Sequence, residues 1–223
     1  MSSVAQHGTT DFGSMDTAPE HRAPPHVHHM DAVTAYHAAK LGMWLFLATE
    51  ILLFAVLFTA FAIFKWYYFA EFHAASKELN WKLGMFNTAV LLFSSFTAAL
   101  AVDAAQHGQN RKVVKNLFIS IACGGIFLIV KAIEYGAKYS HGMFIGGEHF
   151  HQFSNFLSIY YCLTGLHALH VVIGMIVLFW ASTKAMRRMY SPVYYTPVEL
   201  GALYWHLVDL IWIYLFPLLY LIG

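Results

Sequence analysis

Five stretches of this 223-residue chain are each apolar over a length that crosses a bilayer, and that single fact leaves few folds open. They cover residues 41–64, 83–102, 117–135, 154–180 and 200–222, and about 20 mostly apolar residues suffice for a helix to traverse the hydrocarbon core. In lipid, backbone groups must satisfy one another, so a span is either a helix or a strand of a closed barrel. The runs here are continuous and do not alternate, which excludes a barrel. The predicted architecture is an all-α integral membrane bundle of five transmembrane helices. Composition agrees: 59% of residues are hydrophobic and 11% are charged, against about 25% charged in a soluble domain. The net charge of +1 offers nothing to nucleic acid. Cys123 and Cys162 lie in apolar runs and form no CxxC, so neither a zinc site nor a disulfide framework follows.

Residues 1–39 differ from the rest. This segment is polar and rich in proline and histidine, as in "EHRAPPHVHHMD", and lacks the apolar core of a signal peptide. It reads as a solvated tail preceding a membrane domain at 40–223. His26, His28 and His29 within it offer donors for a metal or are simply hydrated. Lys and Arg distribute unevenly between the two sides of the membrane. Arg22, Lys40, Arg111, Lys112, Lys115, Lys184, Arg187 and Arg188 lie on the side of the tail, while Lys65, Lys77, Lys82 and Lys138 lie on the other. Positive charge stays inside. The N-terminus is therefore expected in the cytoplasm and the C-terminus in the periplasm.

The second span contains "SSFTAALA", in which Ser94 and Ala98, then Ser95 and Ala99, recur at a spacing of four. Small residues at that spacing let helix backbones approach in lipid. Gly124, Gly125, Gly165 and Gly174 extend the expectation to the third and fourth spans.

Ionisable side chains within a span need a reason to be there. They are Glu50, Lys131, Glu134, His167, His170, His206 and Asp209. Lys131 and Glu134, three apart on one helix face, are predicted to pair. His206 and Asp209 repeat the spacing, and Trp205, Asp209 and Trp212 share a face. Glu50, alone in "LATEILLF", needs a hydrogen-bonding partner on a neighbouring helix. Three readings stay open on these residues. His167, His170 and His206 supply three nitrogen donors for a metal or a b-type haem, as in a membrane cytochrome. The same groups could line a proton or ion path, although Pro217 is the one proline inside a span and no inverted repeat is visible. Or they are hydrogen-bonding glue between helices.

The blocks "KLGMWLFLATEILLF", "FNTAVLLFSSFTAALA", "IFLIVKAIEY", "TGLHALHVVIG" and "ELGALYWHLVDLIWIYLFPLLYLIG" resemble, in this order, subunit III of the haem-copper terminal oxidases, cytochrome c oxidase subunit III. The resemblance covers residues 40–223 and is to a short, five-helix form without the first two helices of the longer proteins. It implies a chain with no catalytic residue, metal or redox cofactor of its own, the haems and copper lying in partner subunits I and II. It implies packing against subunit I and support of proton uptake and sustained turnover in an enzyme that reduces oxygen to water while pumping protons. Bound phospholipid, a bacterial inner-membrane location and membership of a larger respiratory supercomplex are further implications. By position, Glu50 matches the family's membrane glutamate, Glu134 its "EY" glutamate, His167 and His170 its "HxxH", and Trp205, His206 and Asp209 its "WHxxD". Lys131 stands where the family commonly has Gln. Glu50 and the "FNTAVLLFSS" block resemble the branch fed by cytochrome c more than the quinol branch, making cytochrome c the expected donor to the complex and a quinol the alternative. His29, His37 and His107, near the cytoplasmic rim, are candidate proton buffers there.

Overall fold

A computed structural model describes residues 32–77, 79–140 and 153–221. Six helices follow one another: α1 Ala32–Tyr67, α2 Phe69–Lys77, α3 Trp81–Gln106, α4 Asn110–Ser140, α5 Ser154–Met186 and α6 Thr196–Tyr220. All but α2 are long and apolar enough to cross a membrane. Among the described residues the only extended pairing is one isolated bridge between Ser191 and Tyr194.

Each spanning helix exceeds the apolar run that announces it. The 36 residues of α1 extend about 54 Å at 1.5 Å per residue, well beyond a hydrocarbon core of about 30 Å. Its start at Ala32 lies ahead of the boundary expected at residue 40. The tail that precedes it, with His26, His28 and His29, lies outside the described residues, as does Ile222 at the end of the last expected span. Helix α4 begins at Asn110, so the polar stretch at 104–115 is nearly all helical and the reversal takes only residues 107–109. Gly108 makes that reversal possible with φ of 68°, a conformation that glycine adopts without steric cost. Hydropathy marks where hydrocarbon ends, whereas a helix continues as long as its backbone bonds are favourable.

Helices α3, α4, α5 and α6 form the packed bundle, with α3 against α4 and α6, and α5 against α4 and α6. Helix α1 lies on α5 and α6 and leaves most of its apolar surface outward, including Trp44, Leu52, Val56 and Trp66. The buried stripe of α3 runs Asn87, Leu91, Ser94, Ala98, Ala101 and Ala105, the alternating steps of four and three of one helix face. Of the small residues expected in contact, Ser94 and Ala98 are on this stripe, Ser95 is half-buried at its edge, and Ala99 faces outward. The glycines divide in the same way. Gly124 on α4 and Gly174 on α5 flank the Trp205 ring of α6, where an added Cβ would come within 2.8 and 2.7 Å of the indole. Gly125 and Gly165 face open space.

The ends of the bundle are tied by polar side chains. The Asn80 side chain accepts from Lys82 N at 3.1 Å and caps α3. On α2, which the sequence did not announce, Glu71 Oε1 accepts from the backbone N–H groups of Asn155 and Phe156 at 2.9 and 3.1 Å, and Oε2 from Asn155 Nδ2 at 3.0 Å. It closes the exposed N-terminus of α5 from another element. At the opposite end Asn110 brackets Tyr190, donating to its carbonyl at 2.9 Å and accepting from its N–H at 3.3 Å, while the Tyr190 hydroxyl donates to Ala181 O at 3.0 Å. This clasp joins the α5–α6 connection to the α3–α4 turn.

Candidate functional site: the polar groups inside the spans

Glu50 and His170 meet between α1 and α5, with Oε2 and Nε2 2.8 Å apart. His170 Nδ1 lies 2.8 Å from the carbonyl of Leu166. A carbonyl only accepts, so Nδ1 carries a hydrogen, and a single further proton is shared between Nε2 and the carboxylate. With it on either group the pair is neutral overall. Phe54 packs its edge on the imidazole, ring centres 5.2 Å apart, and the Tyr204 hydroxyl donates to His170 O at 3.4 Å. Both ring nitrogens of His170 are therefore committed.

Lys131 and Glu134 pair at 2.9 Å within α4, and helices α5 and α6 complete their coordination. Lys131 Nζ also donates to Tyr220 OH at 2.8 Å and lies 3.4 Å from Tyr160 OH. Tyr160 and Tyr220 donate to Glu134 Oε1 at 3.0 and 2.6 Å. The ammonium sits 4.8 Å from the centre of the Trp212 ring, an arrangement that adds cation–π attraction. Two opposite charges and two phenols thus satisfy each other in the interior of the bundle. Lys138, one to two turns on, places its ammonium 4.6 Å from the Tyr160 ring.

The seam between α3 and α6 is stitched by three bonds: Trp205 Nε1 donates to Ser94 Oγ at 2.6 Å, Trp212 Nε1 to Thr88 Oγ1 at 3.0 Å, and Ser95 Oγ shares a hydrogen bond with His206 Nδ1 at 2.6 Å. Ser94 also ties α3 to α4, its carbonyl accepting from Ser120 Oγ at 3.1 Å. Trp205, Asp209 and Trp212 are all buried, so their common face points inward.

His167 is wholly enclosed, its ring 5.5 Å from Phe127 and 5.3 Å from Trp212 between centres. It has no hydrogen-bond partner among the described residues, and neither do Asn87 and Asp209. Of the rim histidines, His37 is exposed at the start of α1, and His107 is exposed with Nδ1 2.8 Å from Asp103 O. His29 lies outside the described residues.

The three histidines proposed as ligands therefore occupy three separate environments: a carboxylate on α1, an aromatic slot, and a serine on α3. Among the described residues no three His, Cys, Asp or Glu side chains converge as a metal would require. The geometry gathers instead residues that sequence reasoning passed over, namely Tyr160, Tyr220, Thr88, Asn87 and Glu71, together with Ser94 and Ser95, which the sequence marks only as small packing residues. Tyrosines within an apolar run look like ordinary core aromatics. The one usable signal was the surplus of small hydroxyl residues on the second span, which here face tryptophan and histidine instead of merely permitting close approach.

Comparison with known proteins bears on this set of contacts. A family model described as cytochrome c oxidase subunit III matches residues 21–223. The probable cytochrome c oxidase subunit 3 of Nocardia farcinica is 30% identical over 183 residues, covering 82% of this chain and 87% of that protein. The cytochrome c oxidase subunit 3 of Corynebacterium diphtheriae is 30% identical over 223 residues, covering 96% of this chain and 99% of that protein. The quinol oxidase subunit 3 of Bacillus subtilis is 31% identical over 183 residues, covering 82% and 86%. With five apolar spanning helices, these ordered motifs and matches along most of its length, the chain belongs to the cytochrome c oxidase subunit III family.

Proposed function

We propose that this chain is a subunit without redox centres in a bacterial respiratory haem-copper oxidase, one that takes electrons from cytochrome c, reduces oxygen to water and pumps protons. The observation that carries the reading is how the histidine nitrogens are used. Glu50 takes one nitrogen of His170 and Ser95 one of His206, His167 is enclosed among aromatics, and no three His, Cys, Asp or Glu side chains converge among the described residues, so the three rings sit at separate helix contacts instead of one centre. What the chain offers outward is apolar helix surface, above all along α1, suited to subunit I and to lipid. In this reading subunits I and II hold the haems and copper and the chain makes no bond in the reaction. Its part is to pack, to sustain turnover and to support proton uptake at the cytoplasmic rim. The N-terminus lies in the cytoplasm, the C-terminus in the periplasm and the chain in the inner membrane, as the distribution of Lys and Arg favours. Bound phospholipid and a larger respiratory supercomplex complete the proposed setting.

The test is a reduced-minus-oxidised visible spectrum of the tagged chain purified in mild detergent, before and after its partners are stripped away. Haem that co-purifies and then departs with the partners is the expected result. Haem retained by this chain in stoichiometric amount would overturn the reading and return His167, His170 and His206 to the role of ligands. A quinol-fed complex is the second reading, supported by the similarity to the Bacillus subtilis quinol oxidase subunit 3. Oxygen consumption by the assembled complex with reduced cytochrome c or with a quinol as sole donor separates the two.

A further inference from the structure

Asn87 on α3, His167 on α5 and Asp209 on α6 are 1%, 0% and 2% exposed, and none of their side-chain nitrogens or oxygens has a hydrogen-bond partner among the described residues. Each is linked to Trp212, by ring contact or by position along its helix. Trp212 lies against the His167 ring at 5.3 Å, follows Asp209 by three residues on the same helix, and gives its N–H to Thr88, the chain neighbour of Asn87. Phe127 closes the set, its ring 4.8 Å from Trp212 and 5.5 Å from His167. Ser95 of α3 lies beside Asp209 and is hydrogen-bonded to His206.

A polar group stripped of water and left without a partner costs several kcal/mol, and lipid around the bundle cannot repay it. One such group can be tolerated. Three, contributed by three helices of one packed bundle, form a pattern. Their burial within this chain keeps a partner subunit's side chain from reaching them, and a metal has too few ligands here among the described residues. Water remains: small, both donor and acceptor, and in proteins characteristically bound where otherwise unsatisfied groups gather, making two to four bonds. Asp209 supplies acceptors or one donor, Asn87 supplies both, and a neutral imidazole supplies one of each.

We infer that Asn87, His167 and Asp209 bind internal water molecules around Trp212, forming a hydrated site in the membrane interior of the four-helix core. The Asp209 carboxyl group and the His167 ring then exchange protons with this water although no bulk solvent touches them. The site adjoins the Lys131–Glu134 cluster through Trp212, whose ring centre lies 4.8 Å from the Lys131 ammonium, but that cluster and the Glu50–His170 pair are themselves satisfied by protein groups.

Radiolytic hydroxyl-radical footprinting in heavy-oxygen water tests this directly, since radicals made from a bound water oxidise the side chains beside it. The chain is used as purified from its membrane with the partners that accompany it, and labels are read by mass spectrometry. Trp212 and Phe127 are expected to take up heavy oxygen at least several-fold faster than Phe61 and Phe72, which are equally buried against each other with no unpartnered polar group among their ring contacts. In Asp209→Leu the uptake at Trp212 falls several-fold and that at Phe61 is unchanged. Uptake at Trp212 and Phe127 no greater than at Phe61 and Phe72 in the unaltered protein overturns the inference. That comparison decides the matter even if the Asp209→Leu chain does not fold.

Discussion

Glu50 and His170 face each other at 2.8 Å across the contact between α1 and α5, the one side-chain hydrogen bond between the spans that holds the midpart of the first helix to the bundle among the described residues. Elsewhere α1 is fastened near its start, where Lys40 and Tyr36 both reach Glu199 of α6, at 2.8 and 3.0 Å. The first helix is thus held by polar contacts at these two heights along its length.

Removing one partner of the central contact should therefore loosen α1. Glu50→Leu leaves the His170 nitrogen without a partner and is expected to lower stability by about 1–3 kcal/mol, the usual penalty for an orphaned buried polar group. The double replacement Glu50→Leu with His170→Phe is expected to recover part of that loss, because no polar group is then stranded. Thermal unfolding of the four proteins in one detergent gives the coupling. Simple additivity of the two single changes would refute a direct bond.

Lys131 provides a sharper contrast. Lys131→Met strands Glu134 among two phenols and is expected to cost about 3–5 kcal/mol, as when one member of a buried ion pair is removed. Lys131→Gln keeps a donor within reach of Glu134 and Tyr220, so its loss should be markedly smaller. Yield of assembled complex and its midpoint of thermal inactivation are the measurements. Equal behaviour of both variants with the parent would show the pair to be dispensable.

The glycines around Trp205 should discriminate by position. Gly174→Ala and Gly124→Ala drive a methyl group to within 2.7 and 2.8 Å of the indole, and overpacking of that kind typically costs about 1–3 kcal/mol. Gly165→Ala and Gly125→Ala meet nothing within 4 Å and are expected to be neutral or slightly stabilising, since alanine favours helix. Melting temperatures of the four variants settle the pattern, and a loss at Gly165 equal to that at Gly174 would contradict it.

Outside the spans, burial pushes the Tyr190 phenol above its ordinary value, with Tyr194 adding to the effect. The folded protein thus holds this proton where the unfolded chain releases it, and stability falls as pH rises past the unfolded value of about 10. Below that value the group contributes no pH dependence. Tyr190→Phe is expected to remove part of the alkaline slope and, at neutral pH, to lose about 1 kcal/mol with the bond to Ala181. Unfolding followed at neutral and alkaline pH measures both, and an unchanged slope would contradict the burial argument.

The number of spans and the polar residues within them were legible in the sequence because both follow from composition along one dimension. A run of about 20 apolar residues has one stable form in lipid, and a charged side chain within it stands out against its neighbours. Pairing within one helix was legible for the same reason, as with Lys131 and Glu134 at a spacing of three. Helix ends were not, because α3 and α4 keep their backbone bonds well past the hydrocarbon edge and reverse in three residues. Nor was α2 visible, being too short to carry a periodic signal, although its Glu71 caps a helix 84 residues away.

What only the tertiary structure decided is which groups meet across helices. The sequence offers His167 and His170 alike as nitrogen donors, yet His170 ends against Glu50 and His167 between Phe127 and Trp212. Ser94 and Ser95 were read as small residues that let helices approach, and they are the acceptor of a tryptophan and the partner of a histidine. A helix fixes the direction of each side chain about its own axis, but the rotation and depth at which two helices pack is set by the whole contact surface. That surface, with Trp205 seated between two glycines, exists only once the bundle has closed.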